Sequence, residues 1–519
     1  MKKIALSLIL SITLIASSIM IPGLHQEAGA REKVLRIGMA KEPAKLNPVL
    51  IPGIYGEAVA GNIFDTLVSF KEDSSMPVPC LASSWEITED GREYTFHLRK
   101  DIQFHNGDAM TARDVKFTIE AIMDPANASP SKEFFEPVEK IEIKDDYTVK
   151  IHLATPYSPM MLALGSHTAG IMPSDHVKKV GMDKFDSHPV GTGAFIFVEW
   201  LPDERIVLKK NPRYFIAEPA IDKVIFRPIP KPEVMAAEIE SGGIDMAQNL
   251  LPQDVKRFGN NDRLNVMTIP GLGNSYLGFS HGKLPFSDIR FRKAVYHAVP
   301  FDAAIKGIWQ GVGERAYTWI PQGVFPHDTE YMKSMALEHD RAKAKVYFDE
   351  LKKEGILKEG FEFSIYTSQN PHRVKLATAV ATELRKYNIK ARVESLEWGT
   401  LFPILKDNPG CYIMGWGSVP DPDRWTYKIF HSTSTMNFSK YSVPEIDKAL
   451  ELGRTLVNVK QRGEQYIKVM RRALAQDYIH IPLVFQNVTI VTGNNVEGFT
   501  PSPQDYFHLV TEKRNVILN

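Results

Sequence analysis

Cysteine is nearly absent from this chain: Cys80 and Cys411 are the only two in 519 residues. No CxxC pairing exists, so a disulfide-built scaffold and a thiolate zinc site are both excluded. Their surroundings, a proline-flanked turn and an apolar strand, read as two buried thiols rather than one disulfide. An excess of one charge is missing as well, since Lys+Arg and Asp+Glu both number 62. A balanced surface gives no support for nucleic acid or an acidic membrane as the main partner. Enzyme motifs are missing too. There is no phosphate loop and no HExxH, and a secreted hydrolase stays a remote alternative. Gly271-Leu272-Gly273-Asn274-Ser275-Tyr276 fails the dinucleotide pattern, because tyrosine stands at the third glycine position. It reads as a glycine-rich turn between domains. No histidine pair stands at i, i+4 on a helix with a carboxylate partner, so a metal site would need distant residues, and no cofactor is expected.

What is present begins with length. A chain of 519 residues is too long for one core, so two or more domains are expected. Hydrophobic content of 44% and charged content of 24% are those of a globular protein. One long apolar run exists. Lys2-Lys3 precede Ile4 to Ile21, which carry no charge, and Ala28-Gly29-Ala30 supplies small residues for a signal peptidase. This predicts a leader over residues 1–30, cleaved after Ala30, and a periplasmic mature protein. The alternative is an uncleaved anchor, for which the run barely reaches the floor of about 17 residues. Its serines and threonines favour cleavage. Neither cysteine follows the run, which argues against a lipoprotein.

Local patterns place the elements. Leu81 to Pro125 reads as two short strands around Asp90-Gly91, then a His-Asn-Gly turn, then a helix opened by Thr111-Ala112-Arg113-Asp114 and stopped at Asp124-Pro125. Val34 to Met39 is a strand, Glu57 to Leu67 a helix, and Val138 to Leu153 a hairpin. The clearest α/β unit is Phe361 to Trp416: strand, helix His372 to Tyr387, strand Lys390 to Leu396, strand Cys411 to Trp416. Such an order implies parallel strands with a right-handed crossover, and ligands of such sheets sit beyond the carboxyl ends. Ser442 and Glu445 are placed as another capping box before the penultimate helix.

Two loops leave those carboxyl ends, 368–373 and 417–423, and they are the candidate site. Arg373 begins a helix there. It reads either as a solvated helix residue or as a carboxylate clamp, since guanidinium and helix N-terminal N–H groups both favour an anion. Trp398 and Trp416 read either as core aromatics or as cleft walls. Gly415 and Gly417 flank Trp416 and would let a ligand backbone approach closely.

The order of these blocks resembles the peptide/nickel class of extracellular solute-binding proteins of ABC transporters. The resemblance spans nearly the whole mature chain. It rests on Leu81–Pro125, on 189–195 with Trp200, on Asn211-Pro212-Arg213-Tyr214 and on 289–294. It also rests on Gly415-Trp416 with Asp421-Pro422-Asp423, and on Asn437, Tyr441 and Asp447. It implies an α/β, two-lobed periplasmic binding protein fold of the class II, cluster C type, with an extra subdomain on lobe I. On that pattern lobe I is 31–56, 190–279 and 488–519, the extra subdomain is 57–189, and lobe II is 280–487. The implied function is capture of peptides or peptide-like solutes and delivery to a membrane permease, by a monomer. Gly53 and Tyr55 resemble the family's first-lobe contacts; Arg373, Trp398, Gly415, Trp416 and Gly417 resemble its second-lobe contacts, with Asp421 close by. A nickel chelate or another non-peptide small molecule is the alternative ligand, and His372 or His431 could serve it. Two departures stand out. Val419 occupies the position of the aspartate that pairs with a peptide's free amine, which puts such a ligand in doubt. Val299-Pro300-Phe301 replaces the usual Ile-Asp-Arg/Lys run and is expected to change only a local cap.

Overall fold

Two mixed sheets and a smaller antiparallel one organise the computed structural model, which describes residues 32–70, 76–407, 409–417, 420–504 and 507–519. The expected leader, and Val419, lie outside the described residues. Residues 33–519 form one compact unit. The seven-stranded first sheet is centred on Val34–Met39, which pairs in parallel with Lys223–Pro228 on one side and Met246–Gln248 on the other. Its inward positions, Leu35, Ile37 and Met39, are fully buried. The six-stranded second sheet runs Gly313–Arg315, His480–Gln486, Asn274–Phe279, Cys411–Trp416, Glu362–Ser368, Lys390–Leu396. Glu362–Ser368 pairs in parallel with both Lys390–Leu396 and Cys411–Trp416, as the strand-helix-strand pattern predicts. The chain is therefore two-lobed and mixed α/β. Among the described residues no helix is long and apolar enough to cross a membrane.

The chain passes between the sheets twice, and the two crossings run side by side. One joins Leu264–Ile269 to Asn274–Phe279; the other joins His480–Gln486 to Val488–Gly493. The Gln486 N–H donates to the Gly273 carbonyl at 2.8 Å. A Cβ on Gly271 would lie 2.3 Å from the Gln486 carbonyl oxygen, so this glycine is dictated by close backbone approach. The glycine-rich stretch is thus an interdomain turn, as read. Asn274–Phe279 is buried at all six positions and pairs within the second sheet, so the span 190–279 expected for the first lobe includes a second-sheet strand.

The four-stranded third sheet pairs Ala82–Ile87 with Glu93–Leu98 and then Thr148–Leu153 with Val138–Asp145, giving both expected hairpins. Gly91 takes a left-handed φ of 69° in the first turn. The helix Ala112–Met123 opens with the expected capping box, the Thr111 N–H donating to the Asp114 carboxylate at 2.9 Å. Two local readings are corrected. The first helix is Ile54–Ile63, not Glu57 to Leu67. The helix Pro444–Thr455 is preceded by Val443, not capped from Ser442, because the residue before a proline is pushed to extended backbone, here φ −133° and ψ 111°. Cys80 and Cys411 are free and buried, and burial raises both thiol pKa values well above the ordinary range.

Candidate functional site

The carboxyl ends of parallel strands from both large sheets converge on one cavity of about 580 Å³. The first-sheet side contributes Ala40, Tyr55, Gln248 and Thr489. The second-sheet side contributes Trp309, Asn370, His372 and Gly417. Ala40 follows the strand Val34–Met39, and Gln248 ends the strand Met246–Gln248. Asn370 and Gly417 each lie just past a second-sheet strand. This is the placement expected for a ligand of an open α/β sheet.

Arg373 stands at the edge of that region, in the first turn of the helix Pro371–Arg385. Its side chain folds back over the sheet instead of reaching into water. Nε donates to Ser275 Oγ and Nη1 to Ser368 Oγ, both at 3.1 Å. Among the described residues no carboxylate pairs with it, and burial draws its pKa down to about 10. The helix amides that were expected to assist it are already used. Asn370 Oδ1 accepts from the N–H groups of His372 and Arg373 at 3.1 Å, and the Asn370 carbonyl accepts from Val374 at 3.0 Å. An Asn before Pro371 is a strong N-cap, so the guanidinium alone carries the attraction for an anion.

Buried polar atoms without hydrogen-bond partners in this sheet include Thr367 Oγ1, on the face that carries Ser275 and Gly415, and Asn274 Nδ2, Tyr276 OH and Trp416 Nε1, on the opposite face. The Trp416 indole is near enough to the Tyr276 hydroxyl to counter part of the rise that burial imposes on its pKa, yet falls outside hydrogen-bond geometry. Unsatisfied buried groups are costly.

The other expected site residues divide. Tyr55 and Gly417 line the cavity, and the Gly417 carbonyl accepts from Trp425 Nε1 at 3.2 Å. Gly417 has open space where a side chain would be, but Gly415 does not. A Cβ there would lie 2.1 Å from the Asn274 carbonyl and 2.3 Å from Arg373 Nη2. Gly415 therefore makes room for Arg373 and its sheet neighbour, not for a ligand backbone. Gly53 precedes the helix Ile54–Ile63 with extended backbone and open space around it. Trp398 is 41% exposed, packs on Phe402 and is off the cavity wall. Asp421 is engaged elsewhere: Arg462 donates two 2.7 Å bonds to its carboxylate, which also accepts from the Asp423 N–H at 2.8 Å. It borders a separate cavity of about 160 Å³.

The two histidines singled out do not share a site. His372 stacks on Trp309, with ring centroids 5.2 Å apart, and burial followed by the Lys375 and Arg373 charges lowers its pKa. His431 stacks on Tyr427 and turns Nε2 toward Glu451 at 3.3 Å. Sequence reading missed Gln248, Trp309, Lys375 and Asn487 on the cavity wall and Ser275 under Arg373, while Ser368 lies in the expected loop. The serines end or flank strands, which was a visible signal. The amides Gln248 and Asn487 come from separate segments and gave none.

The sequence model of the bacterial extracellular solute-binding proteins, family 5 Middle, matches residues 76–437. The chain belongs to that family. Its members are binding proteins, not enzymes. The dipeptide-binding protein of Escherichia coli is 28% identical over 471 residues, covering 85% of this chain and 87% of its own. Heme-binding protein A of Haemophilus influenzae is 27% identical over 503 residues, covering 90% of each. Among solved structures, the ABC transporter-associated periplasmic binding protein DppA from Helicobacter pylori, in complex with the peptide STSA, matches with a TM-score of 0.78 at 27% identity. That match covers 93% of this chain and 98% of the other.

Proposed function

We propose that this protein is the periplasmic substrate-binding component of an ABC importer, capturing peptides or peptide-like solutes between its two lobes and delivering them to a membrane permease. One observation carries the reading. Arg373 is a desolvated cation with two serine hydroxyls and no carboxylate among the described residues, at the strand ends that border the 580 Å³ cavity. A ligand carboxylate would complete it. Gly417 and Tyr55 wall the ligand from opposite lobes, and the paired crossings at 270–273 and 487 act as the hinge. Ligand touching both lobes favours the closed state. The names of the dipeptide-binding relative and of the peptide complex support peptides over a nickel chelate. Export with cleavage after Ala30 and a monomeric state complete the proposal. Mass spectrometry of small molecules released from the purified native protein tests the ligand class. A peptide or carboxylate-bearing solute is the expected result, and a carboxylate-free ligand would overturn the reading. N-terminal sequencing of the same sample is expected to begin at Arg31.

A further inference from the structure

The wall of the large cavity has no Asp or Glu among its described residues, yet it carries seven side-chain amides, including Gln248, Gln486 and Asn487. Its charged residue is Lys375, with His372 also on the wall, and Arg373 follows His372 in the chain. Two of the amides are unfinished. Gln248 is 3% exposed and its Oε1 has no partner. Asn487 Nδ2 donates to the Gly311 carbonyl at 3.2 Å, which fixes the amide, and its buried Oδ1 has no partner. Several carboxylates stand close to the wall in sequence without being on it: Glu42 accepts from Trp200 Nε1 at 2.6 Å, Asp254 faces Arg257 at 3.3 Å, Asp421 is held by Arg462, and Glu57, Glu233 and Glu314 also flank wall residues.

We infer that the ligand is an organic anion whose donor groups are neutral N–H or O–H, and that it carries no ammonium. The inference rests on the cavity being the ligand site. Buried amide oxygens require donors, and a neutral N–H or hydroxyl satisfies them without importing charge. An ammonium would enter a site that, among the described residues, holds like charge and no counter-charge, which is unfavourable on both counts. Two sources share this chemistry: a peptide whose amino end is acylated, and a polyhydroxylated acid.

The test compares dialanine, N-acetyl-dialanine and gluconate by titration calorimetry on the mature protein freed of copurifying ligand. N-acetyl-dialanine is expected to bind at least tenfold more tightly than dialanine. Equal or tighter binding of dialanine would overturn the inference. Gln248→Glu supplies the missing carboxylate and is expected to move the ratio at least tenfold toward dialanine. Gluconate binding without either peptide supports the polyhydroxylated source and removes only the peptide reading. If none of the three binds, the copurifying molecule decides: one bearing an ammonium overturns the inference, and an anion without one upholds it.

Discussion

Arg462 donates two 2.7 Å bonds to Asp421, whereas the Arg373 side chain, in the same lobe, donates among the described residues to the hydroxyls of Ser275 and Ser368 alone. Burial by itself depresses the pKa of either. At Arg462 burial is outweighed only by the Asp421 charge and its hydrogen bonds acting together with Tyr466 and Asp423, and the net shift is upward; at Arg373 burial prevails, and the pKa falls to about 10. The first arrangement is complete without a ligand. It ties the start of the helix Pro422–Phe430 to the helix Val459–Met470, where Asp421 also caps the former. The second arrangement lacks its anion. Within one lobe, a desolvated cation is structural where a carboxylate answers it and a binding element where none does.

The largest effect expected from this difference is on stability. Arg462→Ala leaves Asp421 buried without its partner, and loss of one member of such a pair costs about 3–5 kcal/mol. Denaturant unfolding of the ligand-free protein should show it. A cost below about 1 kcal/mol would mean that water screens the pair and that the contrast with Arg373 is false. Arg373→Ala is expected to do the reverse. Affinity for a carboxylate ligand should fall by about 1.5–3 kcal/mol, the range for a hydrogen bond to a charged group. Stability without ligand should change little or rise, since an unanswered buried charge is removed. Unchanged affinity by calorimetry would return Arg373 to a packing role.

A neutral buried base sharpens the contrast from the other side. His480 is 1% exposed, Nε2 lies 2.8 Å from Ser439 Oγ, and burial alone lowers its pKa to about 3. The folded protein therefore holds His480 neutral while the unfolded chain takes up a proton below about pH 6.5. Stability is full above that value, falls as the pH drops, and stops falling near the folded pKa. At pH 5.5 one such group costs about 1.4 kcal/mol. Unfolding at pH 7.5 and 5.5 should show at least this fall, and His480→Asn should reduce it by about that one group's share. An equal slope in the variant would assign the pH dependence to other buried histidines, such as His105 and His167, both held near 4 by burial.

Much of the frame was legible. Val34–Met39, Lys390–Leu396 and Cys411–Trp416 coincide with their strands because each is a short apolar or alternating run between turn residues. The Thr111–Asp114 box was legible because its chemistry is local. Asn274–Phe279 was missed as a second-sheet strand because it is buried on both faces and follows glycines, so no alternation marks which sheet it joins. The site was legible only by halves. Strand-end logic located Arg373 and Gly417, but the state of Arg373 depends on Ser275, 98 residues away, and on Asn370 using the helix amides. Asp421 next to the Gly-Trp pair looked available for a ligand amine. Only the packing of Arg462, 41 residues on, shows that it is taken.

The smallest expected effect concerns an ion pair that belongs to neither arginine yet bears on closure. Lys428, in the helix Pro422–Phe430, pairs with Glu133, which lies in the span 57–189 expected to form the extra subdomain, and lies 5.2 Å over the Phe134 ring. Glu133 is half-exposed, so water and salt screen the pair, and about 0.2–1 kcal/mol is its expected worth. If the extra subdomain travels with the first lobe, the pair exists only when the lobes are together. Its removal then weakens ligand affinity without touching the ligand, because a change in the closed population appears directly in the apparent Kd. A double-mutant cycle of Lys428→Met and Glu133→Gln, read by ligand titration at low and high salt, isolates the term. The coupling should be present at low salt and fade at high salt. Coupling seen in unfolding but absent from ligand titration would place Lys428 and Glu133 in one rigid body. The moving boundary would then have to be sought at the crossings alone.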